Sequence, residues 1–399
     1  MPGKTPGPTP TKGRGRAARR SSDPTWARFT IMIGALLMLA SGGAIVANDL
    51  IFTVAGNSIK QQDLLGDSGN QAAAEDGHVE ITGPKNILLI GNDARPLQNP
   101  TDQVRADSII IMHIPAAHDR AYLVSIPRDT WIQIPPYDNG TRKHPGGYNK
   151  INAAYAFGGD GLTGDDARRR STELLAKTIK QAFGVTFDAA AIVDFQGFQK
   201  VVAVLGGVEM YVDQETTSVH RGFTADGKLK IPYRQYPKAD GSTGLERIAG
   251  VTPKTYKVGH QRLTPDEALD YVRQRELLPN SDYDRERHQQ QFIKALFRQI
   301  LSSDVLTNPV KLKKVLDVVG SAITLDRGGV ALEDWIYAMR GVSADSMVTI
   351  KTNKGTFNAS TRNPGAESLD DDTLALLKAC QDDTVDAFVL AHPELVMKS

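Results

Sequence analysis

Arginine and aspartate side chains recur at the ends of predicted strands in this 399-residue chain. Three short segments carry them, GNDAR at 91–95, RADS at 105–108 and SIPRD at 125–129, and they supply Asp93, Arg95, Arg105, Asp107, Arg128 and Asp129. Loops at strand ends are where α/β folds bind ligands. Guanidinium groups bind phosphate oxygens, and aspartates hold Mg²⁺ between such oxygens. The pattern therefore predicts a site for a phosphate ester bound with a divalent cation.

Surface salt bridges and turn capping are the alternative explanation, and they are the commoner fate of a single Arg–Asp pair. Three such pairs beside apolar strands favour a shared site, provided that the strands are neighbours. A second charged cluster follows far along the chain, YVRQR at 271–275 and SDYDRERHQ at 281–289. Taken alone, this second cluster predicts a helix–loop–helix with a solvated face.

Several other chemistries are excluded by what the chain lacks. No GxxxxGK followed by Ser or Thr and no HExxH is present, which argues against a nucleotide hydrolase and a zinc peptidase. Cys380 is the only cysteine, so neither an intramolecular disulfide nor a thiolate metal cluster is possible. Its apolar helical surroundings predict a packed side chain rather than a nucleophile. Phosphoryl transfer needs positioning and charge neutralisation more than a covalent nucleophile, which suits an Arg–Asp site.

The N-terminus has the pattern of a membrane anchor. Residues 29–47 carry no charge, and as a helix they would span about 28 Å, close to the thickness of a bilayer core. Seven Lys or Arg within residues 1–28 predict a disordered basic tail in the cytoplasm and place everything after Ala47 outside. A cleaved signal peptide is the alternative, but its apolar region is usually shorter.

The remaining chain divides by composition. Residues 48–84 are predicted to form an extracytoplasmic stalk, 85–305 the main globular domain, and 306–399 a helical and strand portion packing on the same domain. β-Branched runs alternate with helical patterns, which predicts an α/β sandwich. Residues 214–259 are polar with little periodicity and are expected to be a long insertion loop, either functional or disordered.

The order and spacing of six motifs resemble the LytR-CpsA-Psr family of cell-wall glycopolymer ligases over about residues 85–301. These motifs are NILLIGNDAR, RADSIIIMHI, YLVSIPRDTWIQIP, KINAAYAFGG, ALDYVRQRE and DYDRERHQQQF. The resemblance implies a three-layer α/β/α sandwich with a mixed central sheet, preceded by one transmembrane helix, and with a hydrophobic pocket for a polyprenyl chain. The implied activity is Mg²⁺-dependent transfer of a glycopolymer phosphate from a polyprenyl-pyrophosphate carrier to a peptidoglycan hydroxyl.

The resemblance also assigns roles to individual residues. Asp93 and Asp107 match the metal-binding aspartates. The pyrophosphate-contacting arginines correspond to Arg95, Arg105, Arg128, Arg275 and Arg285, with Arg273 a further candidate. Asp107, Arg128 and Asp282 form the expected catalytic set.

Some of these roles stay open. Asp282 would either orient an arginine or assist proton removal. Arg273 and Arg275 on one helix would point to different faces, so only one is expected to meet the phosphate. Lys150 would either reach the same rim or cap the turn at Asn152. His288 stands where the family often has arginine, so that contact is expected to be lost, shifted to Arg287 or made pH-sensitive.

Two other functions remain possible at this stage. One is a pyrophosphatase that acts on the same lipid with water as acceptor. The other is a non-catalytic envelope regulator or scaffold. DNA binding is disfavoured because the folded part is expected outside the membrane and carries a slight excess of acidic residues, while the basic tail suits anionic lipid better.

Overall fold

A computed structural model describes residues 60–70, 80–92, 104–238, 243–300, 314–315, 318, 323–330, 334–335 and 338–397. The predicted basic tail, the predicted transmembrane segment 29–47 and most of the predicted stalk lie outside these ranges, as do Asp93 and Arg95. Within the described ranges, no helix has the length and apolar character needed to cross a bilayer.

A seven-stranded mixed sheet forms the centre of the protein. Its strands are β1 (Lys60–Gln61), β2 (Lys85–Asn92), β3 (Ala106–Ile114), β4 (Ala121–Ser125), β5 (Ala189–Asp194), β6 (Ile323–Asp326) and β7 (Met347–Ile350). In space they follow the order β1-β6-β5-β2-β3-β4-β7. The pairs β1–β6, β5–β2 and β4–β7 are parallel, and the other three neighbouring pairs are antiparallel. Two of the strands, β6 and β7, come from the chain after residue 305.

Seven α-helices are described, and they cover both faces of the sheet. They are α1 (Ile151–Gly158), α2 (Gly164–Phe183), α3 (Phe195–Val204), α4 (Pro265–Arg273), α5 (Asp282–Ile300), α6 (Asp371–Asp382) and α7 (Val385–Ala391). Alternate residues of β2 feed two separate cores, because successive side chains of a strand point to opposite faces. Ile87 and Leu89 pack with α3, α4 and α5, whereas Leu88 and Ile90 pack with α1, α2, α6 and α7. The expected α/β/α sandwich with a mixed sheet is therefore present.

Short peripheral elements complete the described fold. The strands Trp131–Ile134 and Gly147–Lys150 pair with each other, as do Tyr137–Asp138 with Lys143–His144, and Val208–Val212 with Gly259–Leu263. Single 3₁₀ turns occupy Gly66–Ser68, Met339–Gly341, Asn353–Gly355 and Pro393–Leu395.

The expectation of a long loop at 214–259 is wrong. Thr216–Thr224 pairs with Leu229–Lys230 and Val251–Tyr256, and Tyr233–Pro237 pairs with Thr243–Arg247. Most side chains of Tyr233–Pro237 are exposed, so neither face of this hairpin is buried. A strand that buries neither face shows no alternation of apolar and polar residues, so this hairpin could not be recognised from the sequence.

Two helix ends fix the backbone around the second charged cluster. Thr264 and Glu267 form a reciprocal capping box at the start of α4, with Pro265 in the first turn, as their sequence predicts. The helix ends at Arg273 because Gln274 is extended, with φ −67° and ψ 135°. A short connection then leads to Ser281, which has a φ of 47°, and α5 begins at Asp282. Arg275 therefore follows the helix instead of lying on it.

Candidate active site

Two of the predicted Arg–Asp segments, 105–108 and 125–129, meet at one edge of the sheet. Because β2, β3 and β4 are consecutive antiparallel neighbours, the end of β2, the start of β3 and the end of β4 lie together. The pairing of β2 with β3 shifts register between Gly91 and Asn92, opposite Ser108 and Ala106, and this leaves Asp107 without a partner in the ladder. Bulges of this kind redirect side chains, and here the bulged residue carries the carboxylate.

Five side chains from these strand ends and from the second charged cluster form what we call the arginine cluster: Asp107, Arg128, Arg275, Asp282 and Arg285. Arg128 joins two carboxylates, with Nη1 2.5 Å from Asp107 Oδ1 and Nη2 3.5 Å from Asp282 Oδ2.

Asp282 is the common partner of the three arginines. Its Oδ1 lies 2.7 Å from Arg285 Nη1 and 3.7 Å from Arg275 Nη1. Arg285 also donates from Nη2 to the main-chain oxygen of Asp107, at 3.2 Å. Residues separated by up to 178 positions in sequence therefore share one set of contacts.

The electrostatics of the cluster favour an anionic ligand. Three guanidinium groups face the carboxylates of Asp107 and Asp282, and Arg275 Nε also lies 3.3 Å from Glu276 Oε1. Burial alone would raise the pKa of Asp282, but Arg285, Arg128 and Arg275 hold it below its ordinary value. Burial lowers the pKa of Arg285, whose side chain is only 7% exposed. A cationic group that is desolvated in this way is stabilised by any further negative charge.

Two donors of the cluster have no partner within the described ranges. The Nε atoms of Arg128 and Arg285 are buried and have no hydrogen-bond partner. Buried donors are nearly always paired in native proteins, so each exception calls for an explanation. A phosphate oxygen bound beside the cluster would accept from these atoms.

The loop that carries Arg128 is fixed by its main chain and by α1. Thr130 donates from N and from Oγ1 to the Pro127 carbonyl, at 3.0 and 2.6 Å. The first residues of α1 return to the same loop, because Asn152 N donates to Arg128 O at 3.2 Å and Ile151 N donates to Thr130 O at 2.8 Å. Lys150 extends to the rim, with Nζ 3.1 Å from Asp129 Oδ1, and makes no side-chain cap at α1.

Two further arginines were predicted for this site, Arg105 and Arg273. Arg105 is exposed at the same sheet edge, two residues before Asp107. Arg273 is the last residue of α4, and the extended Gln274 separates it from Arg275. Arg273 and Arg275 therefore do not share a helix, and the role of Arg273 stays a prediction.

His288 and Arg287 lie apart from the arginine cluster. The His288 ring is fully buried and stacks on Tyr271, with 4.2 Å between ring centroids. Burial and the neighbouring Arg287 lower the pKa of His288 to about 4, so the ring is neutral near pH 7. Arg287 contacts Asp213 at 2.9 Å and Asp284 at 2.5 Å. His288 is neutral and Arg287 pairs with Asp213 and Asp284, so neither replaces the arginine that the family often has at position 288.

Two buried carboxyl groups beside the cluster were missed by the sequence analysis. Burial raises the pKa of Glu286 to about 8 and that of Glu367 to about 7. Glu286 follows Arg285 on α5, but the charge-rich run around it gave no sign that this acid would be buried. Glu367 lies far from every predicted motif, and no local pattern indicates its position.

The carboxylates of the arginine cluster suit a hard cation that takes most of its ligands from the substrate and from water. Within the described ranges, no group of three or more His, Cys, Asp or Glu side chains is arranged to hold a metal ion. Asp107 and Asp282 are the two carboxylates at the cluster, and both contact arginines. Mg²⁺ typically takes one or two protein carboxylates together with substrate phosphates and waters, so Asp107 with the oxygens of a bound phosphate fits it.

Comparisons with known proteins agree with this fold. A model of the LytR_cpsA_psr family matches residues 52–375. The cell wall biosynthesis protein LcpA of Corynebacterium glutamicum is 26% identical over 342 residues, which are 78% of this chain and 57% of that protein. This chain thus spans little more than half the length of that relative.

A second relative and a solved structure extend the comparison. The polyisoprenyl-teichoic acid–peptidoglycan teichoic acid transferase TagU of Bacillus cereus is 27% identical over 278 residues, which are 69% of this chain and 72% of TagU. A crystal structure of a Streptococcus agalactiae protein has a TM-score of 0.51 at 19% identity, covering 76% of this chain and 88% of that one. At this level of identity the structural likeness concerns the fold alone.

Proposed function

This chain belongs to the LytR_cpsA_psr family, and on that premise we propose that it is a phosphotransferase that moves a glycopolymer from a polyprenyl-pyrophosphate carrier onto peptidoglycan. The observation that carries the proposal is the arginine cluster, in which three guanidinium groups converge and two of them hold buried, unpartnered Nε atoms. The name of the TagU relative, which specifies a polyisoprenyl-linked teichoic acid and peptidoglycan, supports this choice of donor and acceptor class.

In the proposed complex the diphosphate of the carrier replaces part of the Arg–Asp contacts. Arg128, Arg275 and Arg285 would donate to the phosphate oxygens, and each charge-assisted bond is worth about 1.5–3 kcal/mol. The acceptor hydroxyl attacks the phosphorus that bears the glycopolymer and gives its proton to water, and the bond from that phosphorus to the bridging oxygen breaks. Polyprenyl phosphate then leaves, and the arginines neutralise the charge that develops on it.

The electrostatics at Asp282 favour one of its two predicted roles. Its pKa is held low by three arginines, so it is a weak base near neutral pH. Its contacts with all three guanidinium groups are those of a residue that orients them for the phosphates.

Magnesium remains part of the proposal. Asp107, together with Asp93, would hold the ion. Bound there, Mg²⁺ would neutralise phosphate oxygens of the donor and of the leaving group.

Membrane attachment completes the proposal. Residues 29–47 would cross the bilayer once and keep residues 48–399 on the outer side, where peptidoglycan lies. The polyprenyl carrier would then share a membrane with the enzyme. The test is a pair of reporter fusions at residues 10 and 399, and a cytoplasmic C-terminus would exclude wall chemistry.

The activity is tested with the full-length chain, a polyprenyl-pyrophosphate-linked glycopolymer, peptidoglycan and Mg²⁺. We expect release of polyprenyl phosphate together with a covalent glycopolymer–peptidoglycan conjugate, and loss of both in Arg128→Ala. Arg234→Ala is the matched control, because this exposed arginine pairs with Glu246 on the peripheral hairpin. Release of polyprenyl phosphate without a conjugate would identify a pyrophosphatase. The absence of both products would point to a regulator or scaffold.

A further inference from the structure

The described chain after residue 338 reaches the proposed active site through Glu367. This residue is 3% exposed, and its main chain pairs with the segment that follows Arg128. Glu367 N donates to Asp129 O at 3.0 Å, and Trp131 N donates to Glu367 O at 2.7 Å. These two bonds flank Thr130 and tie Glu367 directly to the Arg128 loop.

The side chain of Glu367 reaches the start of α5, the helix that carries Asp282. Tyr283 donates its hydroxyl to Glu367 Oε2, and Asn353 donates from Nδ2 to the same oxygen at 3.3 Å and to the Tyr283 hydroxyl at 2.8 Å. All three side chains are buried. Tyr283 follows Asp282 directly at the start of α5, so the contact fixes the helix end that carries the common partner of the arginines.

Asn353 is itself held rigidly. It has a φ of 46°, its Oδ1 accepts from Asp370 N at 2.8 Å, and its N donates to Thr373 Oγ1 at 2.7 Å. These two bonds hold Asn353 against the start of α6, and its side chain contacts Tyr283 and Glu367 from there. A buried hydrogen-bonded network of this kind favours one arrangement of the elements that it joins.

We propose that Glu367 is a positioning residue for the arginine cluster: with Tyr283 and Asn353 it sets the spacing between Arg128 and Asp282. The two halves of the cluster meet at 3.5 Å between Arg128 Nη2 and Asp282 Oδ2. One half is on the loop that Glu367 holds by its main chain, and the other is on the helix that Glu367 holds by its side chain. This role rests on the proposed function, because positioning matters through the phosphate that the cluster would bind.

The raised pKa values of Tyr283 and Glu367 accord with the same geometry. Burial is the largest cause for both groups, and the charge of the neighbouring Glu367 adds to it for Tyr283. Both groups are thus removed from water and depend on each other for hydrogen bonding.

The test compares two tyrosine variants that each delete one hydroxyl. Tyr283→Phe removes the contact to Glu367, and the control Tyr137→Phe removes an equally buried contact to Glu173 Oε2 at 2.8 Å, within a network formed by Arg170 and Lys177. A misplacement of about 1 Å in a reacting group costs on the order of 100-fold in rate. We therefore expect Tyr283→Phe to lower kcat by roughly 10-fold, and Glu367→Ala by roughly 100-fold, with KM little changed.

Glu367→Gln retains an oxygen that accepts from Tyr283 and should recover most of the wild-type kcat. Tyr137→Phe should lower thermal stability as much as Tyr283→Phe while leaving kcat unchanged. Equal effects of the two tyrosine variants on kcat would overturn the proposal, since a merely structural role predicts that result.

A structural readout separates this proposal from the proposed function. Crystal structures of the full-length Glu367→Ala and Tyr283→Phe proteins should show Arg128 and Asp282 further apart than in the wild type. An unchanged separation in both would overturn the positioning role. A wild type without turnover whose variants nevertheless lose the Arg128–Asp282 contact would support the positioning role and refute the transferase.

Discussion

Replacing Arg128 by lysine tests whether the cluster acts through guanidinium geometry or through charge alone. Arg128 contacts Asp107 and Asp282 with its two Nη atoms and leaves Nε buried and unpartnered. Lysine keeps the positive charge, but it presents one compact ammonium group that cannot reproduce a planar fork. Arg128→Lys should therefore bind a phosphate oxygen with at least one hydrogen bond fewer.

The magnitude follows from the worth of such a bond. A charge-assisted hydrogen bond contributes about 1.5–3 kcal/mol, and about 1.36 kcal/mol corresponds to a tenfold change in rate. Loss of one bond in the transition state predicts a fall in kcat/KM of about 10-fold to about 150-fold for Arg128→Lys. Arg128→Ala loses the fork and the charge, so at least two bonds disappear and the fall should be at least about 150-fold.

The assay is the rate of polyprenyl phosphate release by the full-length protein at fixed Mg²⁺ and peptidoglycan. Arg234→Lys serves as the control, because its pair with Glu246 is exposed and exposed pairs contribute little. Wild-type activity in Arg128→Lys would refute the role of the fork. Wild-type activity in Arg128→Ala as well would remove Arg128 from the mechanism.

Four further predictions concern the proposed metal, two buried titratable groups and the cysteine. Chelation of Mg²⁺ by EDTA should abolish turnover in the full-length protein, and added Mg²⁺ should restore it; unaffected turnover would exclude the proposed metal. The buried Glu286 has a pKa raised to about 8, so its contribution to stability is complete below its ordinary pKa and is lost as pH rises through 8. Glu286→Gln should therefore raise the Tm at pH 9 and change it less at pH 5. An equal shift of the Tm at both pH values would contradict this. The pKa of His288 is lowered to about 4, so the free energy of unfolding should fall as pH drops from about 6.5 to 4. In thermal melts, His288→Gln should reduce this loss of stability at acid pH. Cys380 is buried with a pKa raised to about 12, so its thiol should react with iodoacetamide only after unfolding; rapid labelling of the native protein would contradict its packing.

The parts of the fold that depend on local chemistry could be predicted from the sequence. The capping box at Thr264 and the strand Val208–Val212 follow from cap chemistry and from alternation of buried and exposed residues. Short runs of apolar residues with charged ends predict the strands that carry Asp107 and Arg128, and their convergence was conditional on the pairing that the structure shows.

Features that depend on tertiary contacts could not be predicted in this way. The hairpin Tyr233–Pro237 with Thr243–Arg247 is solvated and so lacks periodicity. The end of α4 at Arg273 takes Arg275 off the helix, and no adjacent proline or glycine marks that end in the sequence. Glu367 reaches Asp129 from more than 200 residues away, and only the completed sheet brings them together.

The central claim is that Arg128, Arg275 and Arg285 bind a diphosphate jointly, and a crystal structure of the full-length protein with polyprenyl pyrophosphate and Mg²⁺ tests it most directly. The predicted result is density for the diphosphate within hydrogen-bond distance of the Nε atoms of Arg128 and Arg285. A lipid phosphate bound elsewhere, with the contacts of Asp282 to its three arginines undisturbed, would contradict the claim.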